Sequence, residues 1–457
     1  MTNNPALFDE KKTFGHGIHP DDLKQYSGNV SIEVLPTPPE VNLPFTQHVG
    51  APAKSIVKAK DVVALGDKVA EAGGFVSASI SSPLNGVVGR EKPVTLPNGR
   101  RVIALPIKAE GEQLEGLALM NRIFGGEWDY ADVDALEPEA ITQAIADAGI
   151  VGLGGAAFPA HVKYTVNENT KIDTVLINGA ECEPALTNDS RIMFEFPRAV
   201  VTGALLAKKA ARAERVIIGI EENKPHCVKA LQKAAEGTAV QIAILKTKYP
   251  QGSEKQLVFA CTGRKVPVGG LPATVGTAVS NVSSTAAIAT AAIRGIPLTH
   301  KVICVTGPGI QNPKNLLVPL GTPLGFIIDY CGGLKPEARR ILTGGPMMGF
   351  AVTNMNIPVT KGTSGITILT EKEIKKAQET NCIRCGRCLT VCPMNLVPTK
   401  LALAARAQNV EVANSYHIMA CFECGCCAYT CPASIPLVQL IRTGKAQVIY
   451  AARQNEN

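Results

Sequence analysis

The sequence has few aromatic and few charged residues. Aromatic side chains make up 5% of its 457 residues and charged side chains 19%, with a net charge of +7. No dense basic run interleaved with aromatics is present, so we expect no nucleic-acid partner. The chain is 46% hydrophobic, which together with its length predicts three or four folded domains with sizeable cores.

A long hydrophobic run is also missing. The longest uncharged stretch, residues 266–293, is interrupted by Gly, Pro, Asn, Ser and Thr. It therefore predicts a loop followed by a close-packed helix of small residues rather than a membrane span. The amino-terminal residues lack the apolar core of a secretory signal. We expect a reducing compartment, and any membrane association through a partner protein.

Cysteine, by contrast, is abundant: the chain has 14, and eight of them form two copies of the pattern CxxCxxCxxxCP, 39 residues apart. This spacing is typical of a protein with two [4Fe–4S] clusters, in which three ligands of each cluster come from one repeat and the fourth from the other. The predicted ligands are Cys382, Cys385, Cys388 and Cys431 for cluster 1, and Cys421, Cys424, Cys427 and Cys392 for cluster 2.

Other uses of these cysteines fit less well. Zinc sites use CxxC pairs but seldom add a third cysteine and a fourth followed by proline. Disulfides conflict with the expected reducing compartment. Arg384 and Arg387 lie between ligands of the first repeat, where they would offset cluster charge or simply be solvated. The remaining cysteines are expected to be buried free thiols: Cys182, Cys227, Cys261, Cys304, Cys331 and Cys426.

The carboxyl-terminal segment and the amino-terminal segment indicate two further structures. Residues 370–457 contain ten Lys or Arg and six Glu but no Asp, and residues 400–417 have helix-forming composition. We interpret this segment as a helical ferredoxin domain packed on a larger body. Residues 55–89 contain short apolar runs separated by turns, which predict a small β sandwich or barrel. This segment resembles a lipoyl or biotinyl carrier domain, but the expected hairpin tip, residues 79–82, has no lysine.

The middle of the chain predicts a βαβ domain. Residues 174–177, 215–220 and 241–245 are predicted strands, separated by predicted helices over 197–212 and 225–235. Ahead of them lies a glycine-rich run, Gly152 to Pro159, which lets backbone amides approach a phosphate or a flat ring. A predicted helix rather than a strand precedes it, unlike an ordinary dinucleotide fingerprint. A glycine turn with only a packing role stays open at this point.

Four ordered blocks together resemble the flavin-bearing, NADH-oxidising subunit of respiratory complex I: GLGGAAFPAHVKY, INGAECEP, YPQGSEKQL and VSNVSSTAAI. The resemblance implies an FMN site and an adjacent NADH site. It places FMN on the glycine loop, its lysine and the asparagine of the last block, and NADH near the loop phenylalanine and the acidic block. The residues carried over are Gly152, Gly154, Gly155, Phe158, Lys163, Asn178, Glu181, Glu183, Gly252, Glu254 and Asn281.

The chain departs from that family at three positions. Leu153 stands where the family has arginine, Ala157 where it has the third loop glycine, and Ala180 where it has an aspartate. These departures leave the nucleotide affinity open. The acidic block, Glu181 and Glu183, also has a simpler interpretation as a solvated turn.

The whole chain resembles the C subunits of Rnf complexes, membrane-bound ferredoxin:NAD oxidoreductases. The resemblance adds FGHGIHPDDLK, the block from Cys304 to Pro323, TGGPMMG and the paired cluster motifs. It implies a multidomain α/β protein: an amino-terminal arm and barrel-sandwich domain over 1–125, a Rossmann-like FMN/NADH domain over 126–298, a β-grasp (SLBB) domain over 299–365 and a ferredoxin domain with two [4Fe–4S] clusters over 366–457.

The implied function is electron exchange between NAD(H), FMN and two [4Fe–4S] clusters, because a flavin converts two-electron hydride chemistry into single-electron steps. The implied location is peripheral, on the cytoplasmic side of the cell membrane. The implied partners are membrane subunits of an Rnf-type complex, and ferredoxin reached through another subunit. Two alternatives stay open: a cobalamin reductase of bacterial microcompartments, and an electron-relay scaffold with a vestigial nucleotide site.

Overall fold

The computed structural model describes residues 12–165, 171–374 and 378–455. The amino-terminal part begins with an extended arm that contains a short 3-10 helix, Lys24–Tyr26, and strand β1 (Ile32–Val34). The strands that follow are β2 (Glu40–Pro44), β3 (Lys54–Ser55), β4 (Val62–Val63), β5 (Lys68–Glu71), β6 (Ile80–Ser81), β7 (Gly86–Val88), β8 (Lys92–Thr95) and β9 (Arg101–Ala109). They form two antiparallel sheets, β2-β9-β7-β4 with β8 on β9, and β3-β5-β6.

The barrel-sandwich expectation is thereby confirmed, with one difference inside it. Residues 79–82 are buried, and Ile80 and Ser81 belong to strand β6. The Ser79 hydroxyl donates a hydrogen bond to the carbonyl of Asp147 (2.9 Å). The prediction of a hairpin tip at these residues is therefore wrong, because this segment packs against the next domain instead of projecting into solvent.

The middle part is a parallel α/β domain. Its helices and strands are α1 (Gly116–Ile123), α2 (Ala131–Ala135), α3 (Pro138–Asp147), α4 (Ala160–Tyr164), β10 (Thr174–Gly179), α5 (Asn188–Glu195), α6 (Pro197–Ala210), β11 (Arg215–Glu221), α7 (Pro225–Ala234), β12 (Val240–Leu245), α8 (Glu254–Thr262), β13 (Thr277–Asn281) and α9 (Val282–Arg294). A 3-10 turn, Pro272–Val275, precedes β13. The strand order is β12-β11-β10-β13, and all pairs are parallel.

The small residues of α9 allow close helix packing, as the sequence predicts. A Cβ atom on Gly203 of α6 would lie 1.8 Å from the carbonyl oxygen of Thr285 in α9. Glycine at position 203 therefore lets the two helix backbones approach at a distance that no side chain permits. Asn281 caps α9 by accepting hydrogen bonds from the amides of Ser283 and Ser284, which places this asparagine at the carboxyl end of β13.

The third part is a mixed sheet with one helix across it. Its elements are β14 (His300–Thr306), β15 (Lys314–Pro319), α10 (Leu324–Tyr330), β16 (Ala338–Thr343), β17 (Phe350–Val352) and β18 (Gly365–Thr370). The order is β1-β15-β14-β18-β16-β17, so the arm strand β1 completes this sheet. Because β18 begins at Gly365, the sheet continues five residues past the proposed boundary at 365.

The carboxyl-terminal part contains only helices and loops among its described residues. The helices are α11 (Arg387–Thr390), α12 (Pro398–Arg406), α13 (Val410–Ser415), α14 (Cys426–Tyr429) and α15 (Leu437–Asn455), with a 3-10 turn at Ile418–Ala420. Helices α12 and α15 pack closely, since a Cβ on Gly444 would lie 2.9 Å from the Cβ of Ala405. No helix in the described ranges is both long and apolar enough to cross a membrane.

Candidate functional site

The glycine-rich run forms a closed loop with unpaired amides at its exposed tip. The Gly152 amide donates to the carbonyl of Phe158 (2.8 Å), and the Ala157 amide donates to the carbonyl of Gly152 (3.0 Å). Residues 154–156 are exposed, and within the described part of the chain their amides donate to no protein acceptor. Gly155 has a φ of 119°. Consecutive unpaired amides in such a loop bind anionic groups, so the loop fits the phosphate or an anionic ring edge of FMN.

The loop lies where the strand order of the parallel sheet reverses. The chain runs from β10 outward to β11 and β12, then returns to place β13 on the other side of β10. Asn178 of β10 and Asn281 of β13 are paired in register near the carboxyl ends of these strands. Ligands of open α/β sheets bind in the crevice at this switch point. A Cβ on Gly154 would lie 3.0 Å from Nδ2 of Asn281, so the loop closes onto the crevice.

Asn281 is oriented by a buried carboxylate that the sequence analysis missed. Its Nδ2 donates to Oδ2 of Asp189 (2.6 Å), while Oδ1 of Asp189 accepts from the Ser283 hydroxyl (2.5 Å). Burial and the nearby Glu181 together raise the pKa of Asp189 to about 6, against the hydrogen bonds from Ser283 and Asn281. Asp189 lies in the first turn of α5, shortly after the acidic block, and no local spacing marks it as part of the site.

The lysine and the third block meet at the same edge of the sheet. Lys163 of α4 donates from Nζ to the carbonyl of Val279 (2.8 Å) and lies 3.2 Å from Oε1 of Glu254. Asn178 donates from Nδ2 to the carbonyl of Gly252 (2.7 Å). Phe158 closes the glycine loop and is half-buried. The structure thus brings together the loop, Lys163, Asn178, Gly252, Glu254 and Asn281.

The two carboxylates of the acidic block accept hydrogen bonds from backbone amides of this chain. Oε1 of Glu181 accepts from the amides of Asp189 (2.6 Å) and Ser190 (3.2 Å) at the amino terminus of α5. Oε1 of Glu183 accepts from the amides of Met347 (2.7 Å) and Met348 (3.1 Å). Burial raises the pKa of Glu183 to about 7, against the effect of these two amides. The NADH contact carried over to Glu181 and Glu183 stays a prediction, and the solvated-turn interpretation does not describe them.

The three departures from the complex I family are accommodated. Leu153 packs in the main hydrophobic core, and Ala180 is fully buried beside Gly252. Ala157 replaces a glycine at a φ of 51°, a left-handed conformation that costs about 1 kcal/mol for a residue with a Cβ. All three side chains are buried, so the substitutions place no exposed side chain at the crevice.

The cluster cysteines group across the two repeats. Burial raises the pKa of the Cys388 thiol, and the neighbouring Cys431 and Cys382 raise it further. Burial likewise raises the pKa of Cys427, with Cys424, Cys421 and Cys392 as close negative neighbours. The four thiols predicted for cluster 2 line one cavity together with Phe422 and Met394. A thiol-lined cavity of this kind fits a [4Fe–4S] cluster, and the grouping supports the crossed ligand sets.

Across residues 12–165, 171–374 and 378–455, no three His, Cys, Asp or Glu side chains converge as the ligands of one metal ion would. Of the six cysteines that are not predicted ligands, five are buried and Cys182 is half-buried. One of them, Cys426, belongs to the second repeat and lines the same cavity as the four thiols predicted for cluster 2.

The second repeat docks on the flavin domain through Tyr249. The Tyr249 hydroxyl donates to the carbonyl of Cys424 (2.7 Å), and its ring packs with Ile18, Cys426 and Met347. The first repeat also contacts this domain: Gln256 of α8 donates to the carbonyl of Pro393 (3.1 Å), next to Cys392, the cluster 2 ligand predicted from the first repeat. Tyr249 opens the YPQGSEKQL block, but sequence reasoning assigned it no role because its partner is 175 residues away.

Four protein-family models match successive parts of the chain. They are the RnfC Barrel sandwich hybrid domain over residues 12–112, the Nuo51 FMN-binding domain over 145–290, the SLBB domain over 302–351 and a 4Fe-4S dicluster domain over 381–435. The expected fold class is confirmed, and so are FMN and [4Fe–4S] clusters as cofactors.

Several named proteins are similar to this chain over most of its length. The C subunit of the proton-translocating ferredoxin:NAD(+) oxidoreductase complex of Clostridium ljungdahlii is 44% identical over 394 residues, covering 86% of this chain and 84% of that protein. The Na(+)-translocating counterpart of Acetobacterium woodii is 41% identical, with coverages of 85% and 86%. The C subunit of the ion-translocating oxidoreductase complex of Rhodobacter capsulatus is 39% identical, with coverages of 88% and 77%.

A solved structure shares the fold. A chain of an NAD+-reducing [NiFe]-hydrogenase in its H2-reduced state matches with a TM-score of 0.51 at 19% identity, over 74% of this chain and 65% of the hydrogenase chain. This chain thus spans slightly less than two thirds of that hydrogenase chain.

Proposed function

The chain belongs to the family of C subunits of ion-translocating ferredoxin:NAD(+) oxidoreductase complexes, and we propose that it is the subunit through which electrons pass between NAD(H) and the rest of such a complex. It is an electron-transfer protein with an FMN domain and a domain for two [4Fe–4S] clusters. The observation that carries the proposal is the direct contact of the predicted flavin domain with the second cysteine repeat, through Tyr249 and Cys424.

The residues of the flavin domain bind and orient. When bound, FMN exchanges hydride with NAD(H) and single electrons with iron–sulfur clusters. The unpaired amides of residues 154–156 hold its anionic group. Lys163 places a positive charge at the same edge of the sheet, and Asn281, oriented by Asp189, lies beside the loop at the carboxyl end of β13. No side chain needs to act as a nucleophile.

The thiols predicted for the two clusters differ in their surroundings. Tyr249 of the flavin domain contacts the backbone of Cys424, a predicted ligand of cluster 2. Cys382 and Cys385 of cluster 1 are exposed, as is Ile383 between them. An exposed cluster edge with an apolar side chain is suited to contact with a redox partner, so we place the exit to the complex at cluster 1.

The partners and the location follow from membership of the family. The protein is proposed to attach peripherally to membrane subunits, on the cytoplasmic side, and to reach ferredoxin through another subunit. The relatives and the family models favour this function over the corrinoid reductase and over the relay scaffold with a vestigial nucleotide site.

The test is anaerobic reconstitution of the full chain with iron, sulfide and FMN. NADH is then added, and the flavin and cluster absorbances are followed separately. We expect the flavin to bleach first and the clusters afterwards. If dithionite reduces the clusters but NADH leaves a bound flavin oxidised, the proposal is wrong and the chain is a relay or serves another donor.

A matched pair of variants makes this test specific. Gly154→Ala introduces a Cβ only 3.0 Å from Asn281 Nδ2, whereas Gly99, in a turn of the barrel-sandwich domain, has no neighbour within 4 Å of an added Cβ. We expect Gly154→Ala to lose FMN binding and NADH-dependent bleaching, with dithionite-reducible clusters intact. Gly99→Ala should behave as the wild type apart from a small loss of stability, because its φ is positive.

A further inference from the structure

Two fully buried lysines lie behind the glycine loop. They are Lys301 of β14 and Lys361 in the segment before β18, and both are at most 2% exposed. Lys301 donates from Nζ to the carbonyls of Leu153 (2.6 Å) and Lys361 (2.7 Å). Lys361 donates from Nζ to the carbonyls of Ser79 (2.6 Å) and Gly149 (2.7 Å). A buried ammonium destabilises a fold unless it is hydrogen-bonded, so two of them at one place indicate a role beyond packing.

These contacts clamp the chain on the amino-terminal side of the loop. Lys361 binds the carbonyl of Gly149 and Lys301 that of Leu153, so both ends of segment 149–153 are held. The unpaired amides begin at the next residue, Gly154. Lys361 also contacts the barrel-sandwich domain through the carbonyl of Ser79. The next residue, Gly362, packs on the loop, since a Cβ on it would lie 3.1 Å from the carbonyl oxygen of Gly155. Three domains therefore meet at this clamp.

The hydrogen bonds from the two lysines also place positive charge close to the loop. The carbonyl of Leu153 and the amide of Gly154 belong to one peptide unit, and a charged donor on the carbonyl polarises that unit. The Gly154 N–H becomes a stronger donor toward an anion. Burial lowers the pKa of each lysine to about 7, and the Asp189 carboxylate opposes this at Lys301. An anionic ligand on the loop favours the protonated forms in the same way.

We propose that Lys301 and Lys361 are positioning residues for the flavin: they hold the glycine loop from behind through its carbonyls and place positive charge behind the amides that receive the anionic part of FMN. This inference rests on the proposed function, because it assumes that FMN occupies the loop. It assigns a role in flavin binding to two residues of the β-grasp side, which no motif of the flavin blocks includes.

The experiment compares Lys301→Met and Lys361→Met with a matched control, Lys209→Met. Lys209 of α6 also donates to two backbone carbonyls, those of Val133 and Asp134, but lies away from the loop. The full chain is prepared anaerobically with its clusters, FMN binding is measured by fluorescence quenching, and the midpoint potential of the bound flavin by redox titration. Iron content and cluster absorbance report on the fold.

We expect each of the two variants to bind FMN about tenfold more weakly, as for loss of a charged hydrogen bond, and to show a lower flavin midpoint potential because reduced, anionic flavin loses a nearby positive charge. Lys209→Met should match the wild type in both. Wild-type affinity and potential in Lys301→Met and Lys361→Met would overturn the inference and leave the proposed function standing. Absence of FMN binding by the wild type would instead contradict the proposed function itself.

A second substitution at position 301 tests the inference if Lys301→Met does not fold. Lys301→Gln keeps a hydrogen-bond donor in nearly the same place but removes the charge. We expect weakened FMN binding and a lowered potential, with iron content unchanged. Wild-type values in Lys301→Gln would show that charge behind the loop has no effect, which contradicts the inference.

Discussion

The two cysteine repeats have the same spacing, but the structure gives them different surroundings. In the first repeat Cys382 and Cys385 are exposed to solvent. In the second, Cys424 and Cys427 are buried, and Tyr249 of the flavin domain contacts the backbone of Cys424. Equal spacing therefore provides equal ligand chemistry, whereas the position in the fold separates an inner cluster site beside the flavin domain from an outer one at the surface.

The largest effect is expected from removing cluster ligands in matched pairs. Cys431→Ala and Cys382→Ala should lose the same cluster, the outer one, while Cys392→Ala and Cys421→Ala should lose the inner one, because the fourth ligand of each cluster comes from the other repeat. Each variant should keep about half of the iron, measured by iron analysis. Electron paramagnetic resonance of the reduced protein should give identical residual spectra within each pair. A Cys431→Ala spectrum that matches Cys421→Ala would refute the crossed ligand sets.

The inner site should also depend on Glu183, whose carboxylate holds the loop that touches Gly425. The Glu183 pKa is raised in the folded protein, from an ordinary value of 4.5 to about 7. The folded state therefore keeps this proton to higher pH than the unfolded state, and stability falls as pH rises from about 4.5 to 7. Glu183→Gln removes the charge and keeps an acceptor for Met347. We expect the variant to gain stability relative to the wild type over this window, by a few kcal/mol at most.

Apparent melting midpoints of both proteins at pH 5 and pH 8 measure this difference. The advantage of Glu183→Gln should be larger at pH 8. If the melting midpoints of the two proteins differ by the same amount at pH 5 and pH 8, the Glu183 carboxyl group does not titrate in this range.

A smaller effect is expected at the contact between Tyr249 and the inner site. Tyr249→Phe keeps the ring but removes the hydrogen bond to the carbonyl of Cys424. The loss should destabilise the protein by about 1–2 kcal/mol, since a buried acceptor is left unpaired. We also expect NADH to reduce the clusters more slowly in a stopped-flow experiment. Tyr429→Phe is the control, because Tyr429 lies in the same repeat and is exposed; equal behaviour of the two variants would argue against a specific role of Tyr249.

The smallest effect is expected at the outer site, from Arg384→Gln and Arg387→Gln. Both arginines are exposed, and exposed charges change binding by no more than about fivefold. With an acidic redox protein as an artificial electron acceptor, we expect slower NADH-driven reduction at low salt, and no difference from the wild type at high salt, where exposed charges are screened. Arg100→Gln, at an exposed position of the barrel-sandwich domain, is the control. A large loss that persists at high salt would show that these side chains support the cluster itself.

Local patterns predicted much of the architecture. The strands predicted over 174–177, 215–220 and 241–245 correspond to β10, β11 and β12, because short apolar runs between turns are encoded by neighbouring residues. The same holds for the helical segment predicted at 400–417, which overlaps α12 and contains α13. By contrast, β1 of the arm joins the β-grasp sheet by pairing with β15, and no pattern near residue 32 predicts a partner near residue 315.

The residues that the sequence analysis missed share one property, a partner far away along the chain. Lys301 binds a carbonyl 148 residues earlier, and Asp189 binds an asparagine 92 residues later. Glu183 shows that a motif can also indicate a different partner from the one observed. The motif indicated a nucleotide contact, whereas the Glu183 carboxylate binds an amide 164 residues away. Such contacts depend on how the domains pack, which spacing along the chain does not encode.

The sequence by itself determined the kinds of chemistry: two sets of thiolates, a glycine loop with free amides and the blocks of a flavin domain. It could do so because the loop amides, and three of the four ligands of each cluster, are grouped within a few residues of one another. Only the tertiary structure decided which predicted cluster site lies beside the flavin domain, since both repeats have the same spacing. It also decided that buried Lys301 and Lys361 support the glycine loop, because burial and charge contacts arise only when three separate domains meet.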